Sequence, residues 1–315
     1  MRRDRLAGIV PLHPRRGCAA AGLFLNPLAP IHAMAMTHTP MRRRRLIPTG
    51  LLLSLPAFLF LAVFFIGPLA VNLGESLSAP SGSLGLGQYV RALGDAYYLE
   101  VLFATVALSL AVTAISLVAG YPLALAIVQS RGLLKSVLIF LVVTPLLINV
   151  VVRTFGWMVI LGRSGFLNYS LRSLGFDTVN LSGGWAGLTI AMVHVLMPFM
   201  VLSIASALEG IDAMLEEAAM TLGASPLRTF FHVVLPLSRE GVVTGTMLVF
   251  ALCMGSFVTV MLMGTNATMV LPLLVYQQLN LASDWPFAAA LGTILVVVVI
   301  AATIVQLSLG SWRRT

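Results

Sequence analysis

Apolar residues run through this chain in blocks too long for an ordinary soluble helix. Charge-free stretches extend from Thr178 to Leu208 and from Gly241 to Ser283. A hydrocarbon layer about 30 Å thick is crossed by a helix of roughly 20 apolar residues. The blocks therefore predict six spans, at 46–71, 101–128, 136–160, 185–208, 241–263 and 285–309. Pro48, Pro56 and Pro68 interrupt the first, Gly120-Tyr121-Pro122 predicts a kink near the inner end of the second, and Pro145 lies inside the third. Trp157, Trp185, Trp285 and Trp312 all fall near expected span ends, where an amphipathic indole is favoured. The expected fold class is an all-α membrane protein with six transmembrane helices.

One polar segment breaks the pattern between the fourth and fifth spans. LEEAAMTLGASPLRTFFHVVLP, Leu215 to Pro236, reads as two short helices joined by a tight turn. Asp212 is placed to cap the helix 213–222, and Glu216 and Glu217 lie in its early turns, where the helix dipole favours negative charge. Gly223 ends that helix, because glycine adopts positive φ without a Cβ clash. Ser225-Pro226 then starts a second helix to about Leu235, with Phe230, Phe231 and Val234 on its apolar side. Such an element is either a solubilising loop or a rigid knob. Small Ala218 and Ala219 would let a soluble partner approach closely, and Glu217 offers it a charge.

Composition sharpens the membrane reading. The 315 residues are 59% hydrophobic and 10% charged, with mean hydropathy +0.99, whereas soluble chains carry about a quarter charged residues. A single soluble core of this composition would lack the polar surface to cover it. The net charge of +8 is nearly all arginine. With the amino terminus inside, Arg42 to Arg45, Arg131, Lys135, Arg228, Arg239, Arg313 and Arg314 face inward, against Arg91, Arg153, Arg163 and Arg172 outside. Cytoplasmic loops collect positive charge, so both termini and the 212–236 element are expected in the cytoplasm. The same rule accounts for the basic tail better than nucleic-acid binding does.

Residues 1–40 are Arg-rich and proline-scattered, without helical period. Pro27 and Pro30 break the short apolar part that a signal peptide needs. They read as a disordered basic tail, or as the product of a start assigned upstream of Met34, Met36 or Met41. The remainder, 41–315, reads as one transmembrane domain without internal repeat. Cys18 and Cys253 are far apart and give neither disulfide framework nor metal spacing.

Candidate chemistry is sparse. His194 is the ionisable residue deepest in a span, where such groups are functional suspects, yet without a partner acid its simpler role is a hydrogen bond to a neighbouring helix. Asp284, before Trp285-Pro286, would suit a cationic solute beside an aromatic face, or would cap the sixth helix. Trp157 and Tyr276 are candidates to line a path, although span-end aromatics commonly anchor to the interface. Arg153 would repel a polycation and suits a subunit contact or an external receptor. Gly255, Gly264 and Gly183-Gly184 would permit close helix approach. There is no HExxH and no P-loop: the sole lysine, in RGLLKS, lacks the glycine frame that holds phosphates.

EEAAMTLGASPLRTFFHVVLP resembles the EAA motif of permease subunits of binding-protein-dependent ABC importers. Glu217, Ala218, Ala219, Gly223 and Pro236 match it by position. PLLINVVVRTFGWMVILGRSGFLN, VHVLMPFMVL, LVYQQLNLASDWPFAAAL and GYPLALAI are similar to the spermidine/putrescine branch, so the likeness covers roughly Leu46 to the carboxyl end. The resemblance implies a type I ABC importer permease fold in a bacterial inner membrane, and a non-enzymatic subunit forming half of a translocation pathway. It implies that the EAA element seats on a dimeric ABC ATPase, which binds the ATP and Mg²⁺ while this chain holds no cofactor. A second permease, an extracytoplasmic solute-binding protein and a polyamine or similar small organic solute complete what it implies. Three other readings are an ion-coupled secondary transporter, an intramembrane enzyme and a substrate-free scaffold. The first calls for several intramembrane acids and the second for a catalytic constellation, and neither is present. The third would move no solute.

Overall fold

The computed structural model describes residues 49–78, 84–179, 181 and 183–311. The tail 1–40, the cluster Arg42 to Arg45, and Trp312, Arg313 and Arg314 lie outside them. The chain divides into two compact units, Met1–Leu55 and Pro56–Thr315. In the first, 49–55 is helical. The second carries the rest of the fold.

The helices in chain order are α1 (Thr49–Leu61), α2 (Gly67–Ser76), α3 (Gly87–Gly94), α4 (Ala96–Gln129), α5 (Gly132–Leu147), α6 (Val150–Leu161), α7 (Phe166–Ser173), α8 (Trp185–Glu209), α9 (Ala213–Thr221), α10 (Pro226–Thr229), α11 (Leu235–Leu237), α12 (Arg239–Met254), α13 (Val258–Met263), α14 (Leu271–Asn280) and α15 (Trp285–Ser311). Among the described residues there is no β-strand, only an isolated bridge between Ser78 and Leu84. Among the described residues, five helical stretches are long and apolar enough to cross a bilayer: Ser54–Ser76, Ala96–Gln129, Val150–Ser173, Trp185–Glu209 and Trp285–Ser308. A bent pair, Pro226–Leu237 with Arg239–Met254, makes a sixth if counted as one span.

Two expected spans are not continuous. The third is two helices, α5 and α6, separated at Ile148-Asn149. Asn149 turns the chain there, its side chain accepting from the Val151 N–H at 2.9 Å as a fresh N-cap. The fifth stops at Met254 and resumes as α13 after Gly255-Ser256-Phe257. Short helices α3 and α7 occupy segments that hydropathy alone leaves as loops. Two turns of π-helix, Ala62–Ile66 and Phe230–Val234, each end two residues before a proline, Pro68 and Pro236. A proline has no N–H and crowds the carbonyl four residues back, and widening the preceding turn relieves both problems.

The centre of the fold is the contact of α4, α8 and α12, where Val112, Ala124, Ala191, Met200, Val201, Ile204 and Val249 are wholly buried. Gly241 and Gly245, four apart on α12, set the α8–α12 distance. A Cβ on Gly241 would meet the Ala207 Cβ at 2.5 Å and the Ser203 carbonyl at 2.6 Å. Without a hydrophobic drive between helices in lipid, such backbone approach is what makes helix packing favourable. Gly120 does the same for α4, where a Cβ would sit 3.3 Å from Val201. At the other end of the bundle the Asn72 amide donates to the Thr293 hydroxyl at 3.1 Å, fastening α2 to α15. The outer faces of α1, α2, α5 and the π turn Ala62–Ile66 stay apolar and exposed, Phe58, Phe64 and Phe140 among them.

Gly241→Ala is expected to lower the thermal stability of the purified protein by about 1–3 kcal/mol, because the added methyl meets backbone that cannot retreat. Gly292→Ala, whose Cβ would meet nothing within 4 Å, is expected to leave it within about 0.5 kcal/mol. Thermal unfolding in one detergent compares the two.

Candidate functional site

The element between α8 and α12 is held together by its own caps. The Asp212 carboxylate accepts from the Met214 N–H at 2.9 Å and opens α9. Gly223 closes it with φ +88°. The Ala224 N–H reaches the Ala219 carbonyl at 3.1 Å and the Gly223 N–H reaches the Met220 carbonyl at 2.9 Å. That bond pair is a Schellman motif, which needs a left-handed residue at this point. A Cβ on Gly223 would meet nothing within 4 Å, so the demand is conformational and not steric. The Ser225 hydroxyl then accepts from the Arg228 N–H at 3.4 Å, with Pro226 first in the new helix.

The second half of the element is where it joins the bundle. Thr229 and Val234 are buried, and Phe230 packs on the core. Phe231, expected on the same apolar side, is exposed and lies edge-on against Phe230 at 5.0 Å. The widened turn through Phe230–Val234 shifts the register by about one residue and turns Phe231 out. At Ser238 the chain bends by 63° into α12. The Lys135 ammonium, on α5, pairs with Glu209 at 2.8 Å just ahead of the element.

The first half, by contrast, touches little. No residue of α9 is buried. Glu217, Ala218 and Gly223 are exposed and Ala219 is half-buried. Pro236, further along, is exposed as well. Large apolar side chains stand out beside them: Leu222 is 88% exposed, Leu227 73% and Met214 71%. A polar connector that only solubilised the chain would not present this surface.

The candidate path residues fall in three separate places. Trp157, on α6, donates its indole N–H to His194 Nδ1 on α8 at 3.2 Å, the rings edge to face. His194 is thus the hydrogen-bond acceptor of a neighbouring helix. Arg153, one turn before Trp157, donates to the Pro145 carbonyl at the end of α5, so it closes the α5–α6 break from within the chain. Tyr276, on α14, stacks at 4.8 Å on Phe257 and lines a cavity of about 250 Å³ with Gln277, Thr265 and Met261. Asp284 precedes α15, where Ser283 takes a left-handed φ of 53° to turn the chain.

The Asp284 carboxylate has two partners. One oxygen accepts from the Phe287 N–H at 3.2 Å as an N-cap, and the other pairs with Arg91 of α3 at 2.8 Å. The Arg91 guanidinium also lies 4.0 Å above the Phe287 ring. Its hydrogen bond to Asp284 raises the Arg91 pKa above its ordinary value. Arg91 is invisible to any reading of single motifs, being 193 residues from its partner.

The bundle of apolar spans with a self-capped polar element between two of them is that of a polytopic membrane protein, and residues 46–314 match the model of the binding-protein-dependent transport system inner membrane component. The chain belongs to that family. Over 215 residues, 68% of this chain and 78% of the relative, it is 35% identical to the spermidine/putrescine transport system permease protein PotB of Escherichia coli. The protein of the same name from Haemophilus influenzae is 33% identical over 195 residues, 61% and 68% of the two chains. A more distant relative, the sulfate transport system permease protein CysW of Synechococcus elongatus, is 27% identical over 264 residues, 82% and 91% of the two. In fold, the chain is similar to the crystal structure of a bacterial ABC transporter that imports the acidic polysaccharide alginate, with TM-score 0.71, 17% identity and coverage of 85% and 96%. It is an ABC importer permease, multi-pass in a bacterial inner membrane, and similar to the polyamine branch.

The double role of Asp284 predicts a graded response. Asp284→Asn keeps a capping oxygen and loses only a half-exposed ion pair, which contributes about 0–1 kcal/mol. Asp284→Ala loses the cap as well, for about 1 kcal/mol more. Thermal unfolding of the two variants is expected in that order.

Proposed function

We propose that this chain forms half of the pathway of an ATP-driven importer and is driven through its 212–236 element by a separate ATPase. The observation that carries this is an element fully folded by its own caps yet left with Leu222, Leu227 and Met214 bare. A rigid knob with apolar tips, carrying Glu217 and the small Ala218 and Ala219, fits a cleft on a soluble subunit. ATP and Mg²⁺ belong to that subunit, a dimer, and no step of hydrolysis falls to this chain. Both termini and the element lie in the cytoplasm, in keeping with the charge asymmetry of the loops. A second permease, similar and not identical, completes the channel. An extracytoplasmic solute-binding protein delivers the solute, a pairing supported by the solved alginate transporter in complex with its solute-loaded periplasmic protein.

The solute is a polyamine or a similar small organic solute. That reading rests on the relatives named for spermidine and putrescine, and not on Asp284, whose charge Arg91 already meets. The cycle follows from the attachments. Closure of the ATPase dimer on ATP moves the element, and α8 and α12, joined to its two ends, move with it.

Gly223→Leu forces a β-carbon into left-handed backbone, and Glu217→Lys reverses the exposed charge. Both are expected to insert normally and to lose most of solute-stimulated ATP hydrolysis and transport, about tenfold or more if a coupling contact of about 1.4 kcal/mol is lost. The ATPase should co-purify poorly with either. Normal co-purification together with normal stimulated hydrolysis in both variants would reject the coupling role. Uptake driven by an ion gradient without ATP would point to a secondary transporter, and vesicles that move no solute to a scaffold.

A further inference from the structure

The element is attached to α8 and α12 by the chain itself, but a third attachment is made by side chains. Tyr121 of α4 shares a hydrogen bond with the Ser238 hydroxyl at 2.7 Å, across 117 residues of sequence. Ser238 is wholly buried and sits at the vertex of the 63° bend between the element and α12. Its own backbone holds both sides of the bend: its N–H reaches the Val234 carbonyl at 2.9 Å, and its carbonyl accepts from Gly241 at 3.0 Å and Val242 at 3.2 Å. The Tyr121 ring meets Phe230 edge-on at 5.5 Å. One residue of α4 therefore grips the element at the start of its widened turn and again at its vertex.

Tyr121 is itself held firmly. Its neighbour Gly120 seats α4 against Met200 and Val201 of α8 so closely that a β-carbon would lie 3.3 Å from Val201. Pro122 follows inside the helix. The Ser238 hydroxyl also donates to the Leu235 carbonyl at 3.3 Å, one turn back in the element, so it accepts from the Tyr121 phenol while tied to the element's own backbone. The buried phenol without its partner would cost about 1–3 kcal/mol. Such a bond fixes the bend at one angle in a stretch where the helical ladder is already interrupted.

We infer that the Tyr121–Ser238 hydroxyl pair is the joint that sets the angle between the coupling element and α12 and carries the element's displacement to α4. It deepens the coupling reading above and rests on it. Tyr121 and Ser238 are positioning residues: they touch neither solute nor nucleotide. Their bond makes the element, α4 and α12 turn together, so that displacement at Gly223 is not dissipated by flexing at residue 238.

The test uses the full importer with its ATPase and receptor, reconstituted in vesicles, comparing wild type, Tyr121→Phe, Ser238→Ala, the double variant and Gly223→Leu. Two quantities are read: solute moved per ATP hydrolysed, and the unfolding temperature of the purified complex. Tyr121→Phe keeps the ring against Phe230 and removes only the hydroxyl. Each single variant is expected to lower solute per ATP by about three- to tenfold, the range of one hydrogen bond. The double variant should fall no further than the singles, because the pair acts as one unit. Spin labels at Leu227 and Leu252, both exposed, should show a broader distance distribution in Tyr121→Phe. Unchanged solute per ATP in both singles, multiplicative loss in the double, or a loss that merely tracks a lowered unfolding temperature each overturns the joint. If Gly223→Leu lowers the ratio while the singles do not, the joint alone fails. If Gly223→Leu also leaves it unchanged, the coupling reading falls as well.

Discussion

The whole arrangement depends on how closely α8 and α12 approach. Gly241 and Gly245 bring α12 against α8 without a side chain of their own, Ala207 and Ser203 filling the space a β-carbon would take at the first and the Met200 sulfur at the second. In lipid this contact is favourable through dispersion and not through expulsion of water, so its strength lies in its tightness. The polar element joins the ends of these same helices next to that contact, Glu209 of α8 and Arg239 of α12. Were they to separate, Asp212 and Ser238 would lose their fixed spacing, and the caps in between would hold a shape with no fixed place. Gly120 extends the same logic to α4.

Several of the other helices are interrupted, and specific polar groups meet backbone groups freed at some of these breaks. Bilayer interiors offer no water to a freed N–H or C=O. Arg153 reaches back to the Pro145 carbonyl where α5 ends, and Asn149 caps α6. The Thr105 hydroxyl accepts from the Leu271 N–H at 2.8 Å where α14 begins. Thr265 and Thr268 cap one another around the short turn after α13. Among the described residues these polar groups serve the bends of the fold, while Ser109 and Thr113 bond back into α4 itself.

Much of this was legible in the sequence because it is written locally. Cap residues act within a turn or two, so Asp212, Gly223, Ser225 and Pro226 declare their roles unaided, and the apolar blocks declare the spans at 96–129, 185–209 and 285–308 to within a few residues. What escaped is whatever depends on two distant segments or on strain along one helix. The breaks at 148–149 and 255–257 fall inside apolar blocks, where Asn149 and Gly255-Ser256 are too brief an interruption to end an expected span. The π turns before Pro68 and Pro236 do have a local signal, the proline itself, but its effect falls upstream, on residues that look like ordinary helix. Gly241 and Gly245, and not Gly255, are the glycines of this span that stand against a neighbouring helix, at the four-residue spacing of close helix packing. Arg91–Asp284 and Tyr121–Ser238 join residues far apart in the chain, and nothing in either segment names the other.

Those distant pairs also say where the molecule yields. A helix bends readily only where its ladder is broken and no neighbour holds the gap. Among the described residues, the break at 238 is gripped by Tyr121 and Phe230, and the break at 148–149 by Arg153. At 255–257 the hold is weaker: Ser256 makes a long contact to the Met192 sulfur at 3.5 Å, and Phe257 lies against Tyr276. Sulfur is a poor acceptor and an aromatic contact tolerates sliding. A push arriving through a stiff joint at 238 therefore meets its first soft point at 255–257. That point adjoins Phe257 and Tyr276, beside the cavity near Thr265. On the proposed coupling, a stiff joint at one end of α12 and a softer hold at the other would make that helix a lever whose far end lies beside a cavity.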